Sequence, residues 1–416
     1  MTRQRRDGTG SWGDIGPELV AAASDNDPTN VGTAAVVGAQ TLYRLSWVAV
    51  LVAPLLAVIL IIAGRVGMVT RSDLQSLSRK RYGPRVAGLL LVSVVTVNVL
   101  TIAADVQAGA AGIGLLAHLS ARWIVAPLAL ALAGLLMVGR YGQVAALLRY
   151  LLPGFLAFTA AAVLARPDWP ALLRATLVPA LSLRPADLTG ALALLGTTLT
   201  SYVYVWETIQ RGVEETPDRG AVRPAMARAR VGAIAGATFT AAILWSMLVA
   251  AAATLGRHHQ PAATAEDAAR ALRPLAGPAA GDLFAVGLVI SAVVALPVLM
   301  ASTGHVVGAH FDWRRGLSQP VGQARRFYAT LASSAVLAIA VTVAGVPVLT
   351  TLVAASVAGG LATPVGLVLL IRLGRDRQIM GDQVISTALA LAGLVIAVAV
   401  GALGALFIVV APVVSR

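Results

Sequence analysis

A short polar stretch near the start of the chain has the residue types and spacing that bind a cation. Two carboxylates and two amides lie around one proline: Asp25, Asn26, Asp27, Pro28 and Asn30. A charged side chain at the centre of a bilayer costs about 2.5–3.5 kcal/mol, so its presence there indicates function. Proline breaks the helical hydrogen-bond ladder, and membranes tolerate such a break only beside protein or a water-filled cavity. The pattern predicts a hard-cation site on an unwound membrane helix.

The composition is that of a membrane protein. Hydrophobic residues make up 58% of the 416 residues and charged residues only 12%, which is about half the charged fraction of a soluble domain. The absence of cysteine excludes disulfides and thiolate metal sites. Although the net charge is +13, the basic residues are spread over short loops. This distribution indicates membrane topology rather than nucleic-acid binding.

Eleven apolar runs are long enough to cross about 30 Å of hydrocarbon, which predicts an all-α polytopic membrane protein. The predicted spans are residues 16–41, 45–64, 86–117, 123–139, 147–165, 187–210, 231–256, 281–308, 327–343, 346–371 and 385–411. Most Lys and Arg residues then fall on the side of the N-terminus. The positive-inside rule therefore predicts a cell-membrane protein with a cytoplasmic tail at residues 1–15 and an extracytoplasmic C-terminus.

A second interruption lies in the sixth span. Residues 196–202, Gly-Thr-Thr-Leu-Thr-Ser-Tyr, break the span at 187–210 as residues 25–30 break the first span. Because the breaks lie five spans apart, the second half of the chain enters the membrane with opposite sidedness. Matching discontinuous helices in two inverted halves indicate a transporter with its site near the midplane. The alternative for residues 196–201 is a face of small residues that packs helices together.

The first half of the chain resembles the Nramp family of divalent-metal transporters. The family's Asp-Pro-Gly-Asn motif reads Asp-Pro-Thr-Asn at residues 27–30, and residues 97–110 are similar to the third helix of Nramp-related proteins. The resemblance covers most of spans one to ten and implies a LeuT-type fold with discontinuous helices one and six. The two inverted five-helix repeats would be residues 16–165 and 187–371 of a transport domain at 16–371. Residues 385–411 would form an additional helix.

The sixth helix departs from the family pattern. Where Nramp transporters have Met-Pro-His, the aligned residues here are Thr200, Ser201 and Tyr202. In this respect the chain is similar to an Nramp-related branch that includes magnesium transporters. A hydroxyl replaces a soft thioether, and hard oxygen ligands suit Mg, Ca and Mn. The smaller Thr200 also leaves room for the waters that Mg²⁺ retains. Alternatively, Thr200 only caps a broken helix.

The expected ligands of the cation belong to both broken helices. They are the side chains of Asp27 and Asn30, the carbonyl oxygens of Ser24 and Thr197, and Thr200 or a water molecule. Asp25, Asp105, Tyr202 and Glu207 are candidates for an ion or proton pathway.

The resemblance implies a proton-path role for Asp105. The family's second acid on that helix corresponds to Ala108 here, and its histidine to Tyr202, which argues against proton coupling. Glu207 is expected near the inner exit, and Glu214 is expected to be solvated.

The leading hypothesis is a secondary transporter that imports Mg²⁺ or Mn²⁺ by alternating access. The metal is its substrate, and beyond the lipid bilayer no cofactor, nucleic acid or obligate protein partner is expected. The alternative is a Na⁺- or H⁺-coupled organic-solute symporter of the same fold, although the Asp25 and Asp27 pair disfavours an anionic substrate. A family member without transport activity is a third possibility. An enzyme is not expected, because no nucleophile–base pair or phosphate loop is present.

Overall fold

The computed structural model describes residues 25–138, 151–180, 182, 184–214, 222–257, 278–346 and 348–414. These residues form helices and no β-strand. The helices are α1 (Pro28–Thr41), α2 (Ser46–Thr70), α3 (Leu74–Ala117), α4 (Arg122–Val138), α5 (Leu156–Leu164), α6 (Trp169–Leu177), α7 (Pro185–Thr198), α8 (Ser201–Ile209), α9 (Val222–Ala251), α10 (Pro278–His310), α11 (Arg325–Val343), α12 (Val348–Arg375) and α13 (Thr387–Val414). Gln210–Glu214 and Ala252–Gly256 continue α8 and α9 as π-helical turns.

The helices agree with the predicted spans. Within the part of the chain that the structure describes, eight helical segments are long and apolar enough to cross a membrane, and two shorter apolar helices accompany them. The boundary predicted near residues 343–346 is confirmed, because α11 ends at Val343 and Gly345 turns the chain with a φ of +74°. The short helix α6 was not predicted. It lies between the fifth and sixth spans and begins at Trp169, after Asp168, whose side chain caps it.

Residues 65–85, which connect predicted spans two and three, are rich in Arg and Lys and are largely helical. Helix α2 continues to Thr70, and α3 begins at Leu74 after Asp73, whose carboxylate accepts a hydrogen bond from the Ser76 amide at 2.8 Å. Gly83, with a φ of 85°, bends α3 just before Pro84. Asp376, which follows α12, accepts a hydrogen bond from Arg81 at 2.6 Å. This bond holds the pKa of the Asp376 carboxyl below its usual value.

The two broken helices lie at the centre of the bundle. Helix α1 packs against α7, α9 and α12, while α3 runs along α10 and α12. In the apolar 18-residue stretch of the segment that contains α7 and α8, 83% of the residues are buried. In the corresponding stretch of α13, only 28% are buried. A helix that is buried on all sides is surrounded by other helices, whereas α13 presents apolar side chains to the outside of the bundle. The fold therefore places the predicted cation site in the interior.

Candidate functional site

The first helix is interrupted where the sequence predicts. Residues 25–27 are not helical, and α1 begins only at Pro28. Asp27 has an extended backbone and caps the helix, because its Oδ1 accepts a hydrogen bond from the Asn30 amide at 2.6 Å. Proline is favoured in the first turn, where its missing N–H has no helical partner. Ser24, a predicted carbonyl ligand, lies outside the described residues.

The sixth span is also interrupted, between α7 and α8. Helix α7 ends at Thr198 and α8 begins at Ser201, so that Leu199 and Thr200 connect them. The freed carbonyl of Leu199 accepts a hydrogen bond from Thr363 Oγ1 of α12 at 2.8 Å. Thr197 lies in the last turn of α7, where carbonyl oxygens have no intrahelical partner. Its predicted role as a carbonyl ligand is compatible with this position and stays a prediction.

Thr200 does not cap the second half-helix with its side chain. It occupies the N-cap position with an extended backbone, but its hydroxyl makes no capping hydrogen bond. Its Oγ1 is buried and has no hydrogen-bond partner among the described residues. Thr200 is therefore at the cap position without a capping hydrogen bond from its hydroxyl, and its predicted role as a ligand stays a prediction. A buried hydroxyl without a partner costs free energy unless a ligand or water satisfies it.

Small residues in this segment also pack helices together, as the alternative for residues 196–201 proposed. A Cβ atom added to Gly196 would lie 2.5 Å from the Ser356 carbonyl oxygen and 2.7 Å from the Gly360 amide of α12. The helix break and the close helix packing thus both occur within this segment. Gly196 allows α7 to approach α12 closely, and the chain opens three residues later at Leu199.

Hydrogen bonds join the two breaks. Asn30 donates from Nδ2 to the Asp25 carbonyl at 2.8 Å, and its Oδ1 accepts a hydrogen bond from Thr198 Oγ1 at 3.3 Å. The Tyr202 hydroxyl donates to Asp27 Oδ2 at 3.2 Å. The structure therefore brings Asp27, Asn30 and Tyr202 together, although the two helices are far apart in sequence.

Helix α3 adds Asp105 to this group. Asp105 Oδ1 accepts hydrogen bonds from the Thr29 amide at 2.8 Å and from the Thr29 hydroxyl at 2.7 Å. Its Oδ2 and both carboxylate oxygens of Asp25 are buried, and none of the three has a hydrogen-bond partner within the described part of the chain. Asp25, Asp27 and Asp105 thus place three buried carboxyl groups around the start of α1.

The electrostatics of this region favour a bound cation or proton. None of the ion pairs recorded for the described residues involves Asp25, Asp27 or Asp105. A buried carboxylate that has no cationic partner is unstable unless it is neutralised. No group of three or more His, Cys, Asp or Glu side chains in the described ranges could hold a metal ion. A metal bound here would need amide, hydroxyl, carbonyl or water oxygens as well, which are the ligands of hard ions.

Glu207 lies away from the helix breaks, on the far part of α8. Its side chain is buried beside Gly64 of α2 and pairs with Arg211 at 3.3 Å. Its predicted place near an exit pathway stays a prediction. The prediction for Glu214 is wrong, since its side chain is buried, contacts His305 Nε2 at 3.0 Å and accepts a hydrogen bond from the Leu317 amide at 3.0 Å. Both partners are remote in sequence, which explains the error.

Several hydroxyl residues near the breaks were not singled out from the sequence. Thr29 holds Asp105, Ser291 donates to the Asn26 carbonyl, and Thr33 bonds to Ser356 of α12 at 2.9 Å. The only signal for Thr29 is its position inside the Asp-Pro-Thr-Asn motif. Serine and threonine are common at contacts between membrane helices, so the sequence does not distinguish these residues from ordinary packing residues.

The sequence matches known membrane transporters along most of its length. A family model described as natural resistance-associated macrophage protein-like, Nramp, matches residues 18–410. A relative from Acidiphilium cryptum is 28% identical over 391 residues, which are 93% of this chain and 86% of the relative. A relative from Mycobacterium leprae is 27% identical over 409 residues, which are 96% of this chain and 92% of the relative. Both relatives are named divalent metal cation transporter MntH.

Solved structures share the fold at lower identity. The manganese transporter of Eremococcus coleocola superposes with a TM-score of 0.75 and 18% identity, covering 96% of this chain and 88% of that chain. MhsT in complex with L-phenylalanine superposes with a TM-score of 0.64 and 14% identity, covering 98% of this chain and 99% of that chain. The nucleobase-cation-symport-1 transporter Mhp1 superposes with a TM-score of 0.61 and 14% identity, covering 92% of this chain and 91% of that chain. These similarities confirm the predicted LeuT-type fold.

Proposed function

Because the chain belongs to the Nramp family, we propose that it is a secondary transporter of divalent metal cations and imports them across the cell membrane. The relatives that match most of its length are named divalent metal cation transporters. Transport would proceed by alternating access around a site at the two helix breaks, with the N-terminus in the cytoplasm. Members of this family are transporters and not enzymes.

The observation that carries the proposal is the position of Asp27. Its carboxylate lies at the broken end of α1, within hydrogen-bond distance of Tyr202 on the second broken helix. Beside it, both carboxylate oxygens of Asp25, the Oδ2 atom of Asp105 and the hydroxyl of Thr200 are buried without hydrogen-bond partners in the described residues. A divalent cation would neutralise the buried charge and satisfy these oxygens directly or through retained water. We assign Asp27, Asn30, Ser24, Thr197 and Thr200 as its ligands.

The proposed substrate is a hard ion of the Mg²⁺ or Mn²⁺ class. The residues proposed as ligands supply oxygen donors, since Thr200 stands where Nramp relatives have methionine. Carboxylate, carbonyl and water ligands suit Mg²⁺ and Mn²⁺, whereas thioether ligands favour softer metals. Proton coupling is not part of the proposal, because Ala108 and Tyr202 replace two proton-relay positions of the family.

Flux into proteoliposomes tests this function. Purified protein is reconstituted with an internal dye sensitive to Mg²⁺ or Mn²⁺, and a second preparation carries an internal pH dye. We expect uptake of both metals, without a metal-driven pH change, and loss of uptake in Asp27→Asn. Asp382→Asn is the matched control, because Asp382 is exposed and should retain uptake. Absence of metal uptake, or uptake of an organic solute in its place, would refute the proposal.

A further inference from the structure

A groove opens on the outside of the bundle, between α2, α9 and the start of α13. It encloses about 890 Å³ and is separate from the helix breaks. Most of its lining is apolar and includes Ala53, Ala57, Ile61, Met68, Met226 and Leu389. The exceptions that carry charge are Arg65 of α2 and Arg230 of α9. The groove thus combines a long apolar wall with two guanidinium groups.

The dimensions of the groove fit a lipid tail. Its lining on α2 runs from Ala53 to Met68, a distance of about 22 Å along the helix axis at 1.5 Å per residue. One leaflet contributes about half of the roughly 30 Å hydrocarbon thickness of a bilayer. An acyl chain that spans one leaflet can therefore lie along the groove. Since this face is outside the bundle of a membrane protein, lipid is the molecule that reaches it.

Both arginines lie at the same end of the groove. Arg65 is in the last two turns of α2 and Arg230 in the first three turns of α9, at the end where α13 begins. The Arg65 Nε atom donates to the Gln383 carbonyl at 2.9 Å, which leaves its terminal nitrogens for other acceptors. For the described residues, no ion pair is recorded between a carboxylate and either arginine. Both guanidinium groups can therefore receive an anionic group.

We propose that this groove binds an anionic phospholipid. Arg65 and Arg230 hold the phosphate group, and the acyl chain lies along α2 and α9. Guanidinium groups bind phosphate oxygens through pairs of parallel hydrogen bonds, which are stronger than bonds between neutral groups. The net negative charge of the headgroup distinguishes this ligand from a zwitterionic phospholipid. Free phosphate has the charge but lacks the apolar part that the groove accommodates.

Native mass spectrometry of the delipidated full-length protein tests the site. Phosphatidylglycerol and phosphatidylcholine with identical acyl chains are titrated separately. We expect tighter binding of phosphatidylglycerol, and a decrease of at least roughly tenfold in its affinity in the Arg65→Gln/Arg230→Gln variant, because each basic residue near the surface adds to the attraction of anionic lipid. Equal affinity for the two lipids, or wild-type phosphatidylglycerol affinity in the double variant, would overturn the proposal.

Arg228→Gln is the matched control on the same helix. Arg228 is exposed and lies two residues before Arg230, so it projects about 200° away around the helix axis. We expect phosphatidylglycerol affinity in this variant to stay within about twofold of the wild-type value. An equal loss in Arg228→Gln and in the double variant would show a diffuse surface charge effect and would contradict a defined site.

A second variant tests the apolar part and does not alter the arginines. Ala388 lines the groove and is exposed, so that Ala388→Phe should fold and occupy space needed by the lipid. We expect it to weaken phosphatidylglycerol binding while leaving the thermal unfolding temperature unchanged. Unchanged lipid binding in this variant, or binding of inorganic phosphate as tight as that of phosphatidylglycerol, would overturn the assignment. If the delipidated protein formed a dimer that the Arg65→Gln/Arg230→Gln variant did not form, the groove would be a subunit interface and the lipid proposal would be overturned.

Discussion

The Tyr202 hydroxyl donates a hydrogen bond to Asp27 Oδ2 across 3.2 Å and thereby joins the two broken helices. Asp27 caps α1, whereas Tyr202 lies in the first turn of α8. The Asp27 carboxylate, which we propose as a metal ligand, would therefore contact both the cation and the Tyr202 hydroxyl. The residue that makes this contact is the one predicted to align with the family's sixth-helix histidine.

Tyr202→Phe should increase the affinity for a divalent cation. The substitution removes a donor to a buried carboxylate, and a hydrogen bond to a charged group contributes about 1.5–3 kcal/mol. The metal-free state loses this stabilisation, while the metal-bound state has the cation in its place. Calorimetry with Mn²⁺ at alkaline pH, where protons compete least, should show an increase of about tenfold or more. A tenfold decrease would instead mean that Tyr202 orients the carboxylate for binding.

Thr200→Met should shift uptake toward softer ions. A thioether replaces the unpartnered hydroxyl of Thr200, and ligand softness governs the choice between Cd²⁺ and Mg²⁺. Methionine also fills space that Mg²⁺-bound waters need. The measurement is the Cd²⁺/Mg²⁺ uptake ratio in proteoliposomes, which should increase in Thr200→Met.

Thr200→Val is the control for this substitution, because it removes the hydroxyl and adds no sulfur. Its Cd²⁺/Mg²⁺ uptake ratio should stay near the wild-type value. If a Thr200→Met protein still transports but its Cd²⁺/Mg²⁺ uptake ratio is unchanged or decreased, residue 200 does not face the ion.

Asp105→Asn should leave cation affinity nearly intact. The Asp105 Oδ1 atom accepts two hydrogen bonds from Thr29, and an asparagine oxygen can accept both. Asp105→Leu cannot, so it should loosen the start of α1 and weaken binding by about tenfold, since a buried unpaired group costs about 1–3 kcal/mol. Calorimetry on both variants distinguishes the roles, and transport rates show whether the Asp105 charge is needed for turnover. If Asp105→Asn abolished binding as fully as Asp27→Ala, Asp105 would be a metal ligand.

Gly196→Ala should destabilise the contact between α7 and α12. The added Cβ atom would meet backbone atoms of Ser356 and Gly360 at 2.5–2.8 Å, and neither helix can yield without a shift. Overpacking of this kind costs about 1–3 kcal/mol, which should lower the thermal unfolding temperature. Gly134→Ala is the control, because an added Cβ at Gly134 has nothing within 4 Å. Equal unfolding temperatures for the two variants would contradict the close approach.

The membrane spans and both helix breaks could be predicted from the sequence because their signals are local. Apolar length gives the spans, and Pro28 with its flanking carboxylates indicates the first break. The break at Leu199 follows from a run of small and hydroxyl residues in a position that matches the first break. Asp27 and Asn30 could be selected because a polar group inside an apolar span has few structural explanations.

The contacts of the site could not be predicted because they join distant residues. Asp105 and Thr29 are 76 residues apart, and Tyr202 and Asp27 are 175 residues apart. Only the packing of α3 and α8 around α1 brings these pairs together. The burial of Glu214 also depends on distant residues, because His305 lies in α10 and Leu317 lies in the segment that follows α10. A sequence pattern reports the environment along one helix and contains little information about its neighbours.

Calorimetric titration of Mn²⁺ and Mg²⁺ into purified wild-type protein and Asp27→Ala tests the central claim most directly. We predict measurable binding to the wild type and to the control Asp382→Ala. In Asp27→Ala we predict a loss of roughly a hundredfold or more, because even residues that only support metal ligands cost 10–100-fold when changed. An affinity of Asp27→Ala within about twofold of the wild-type value would contradict a metal site at the helix breaks.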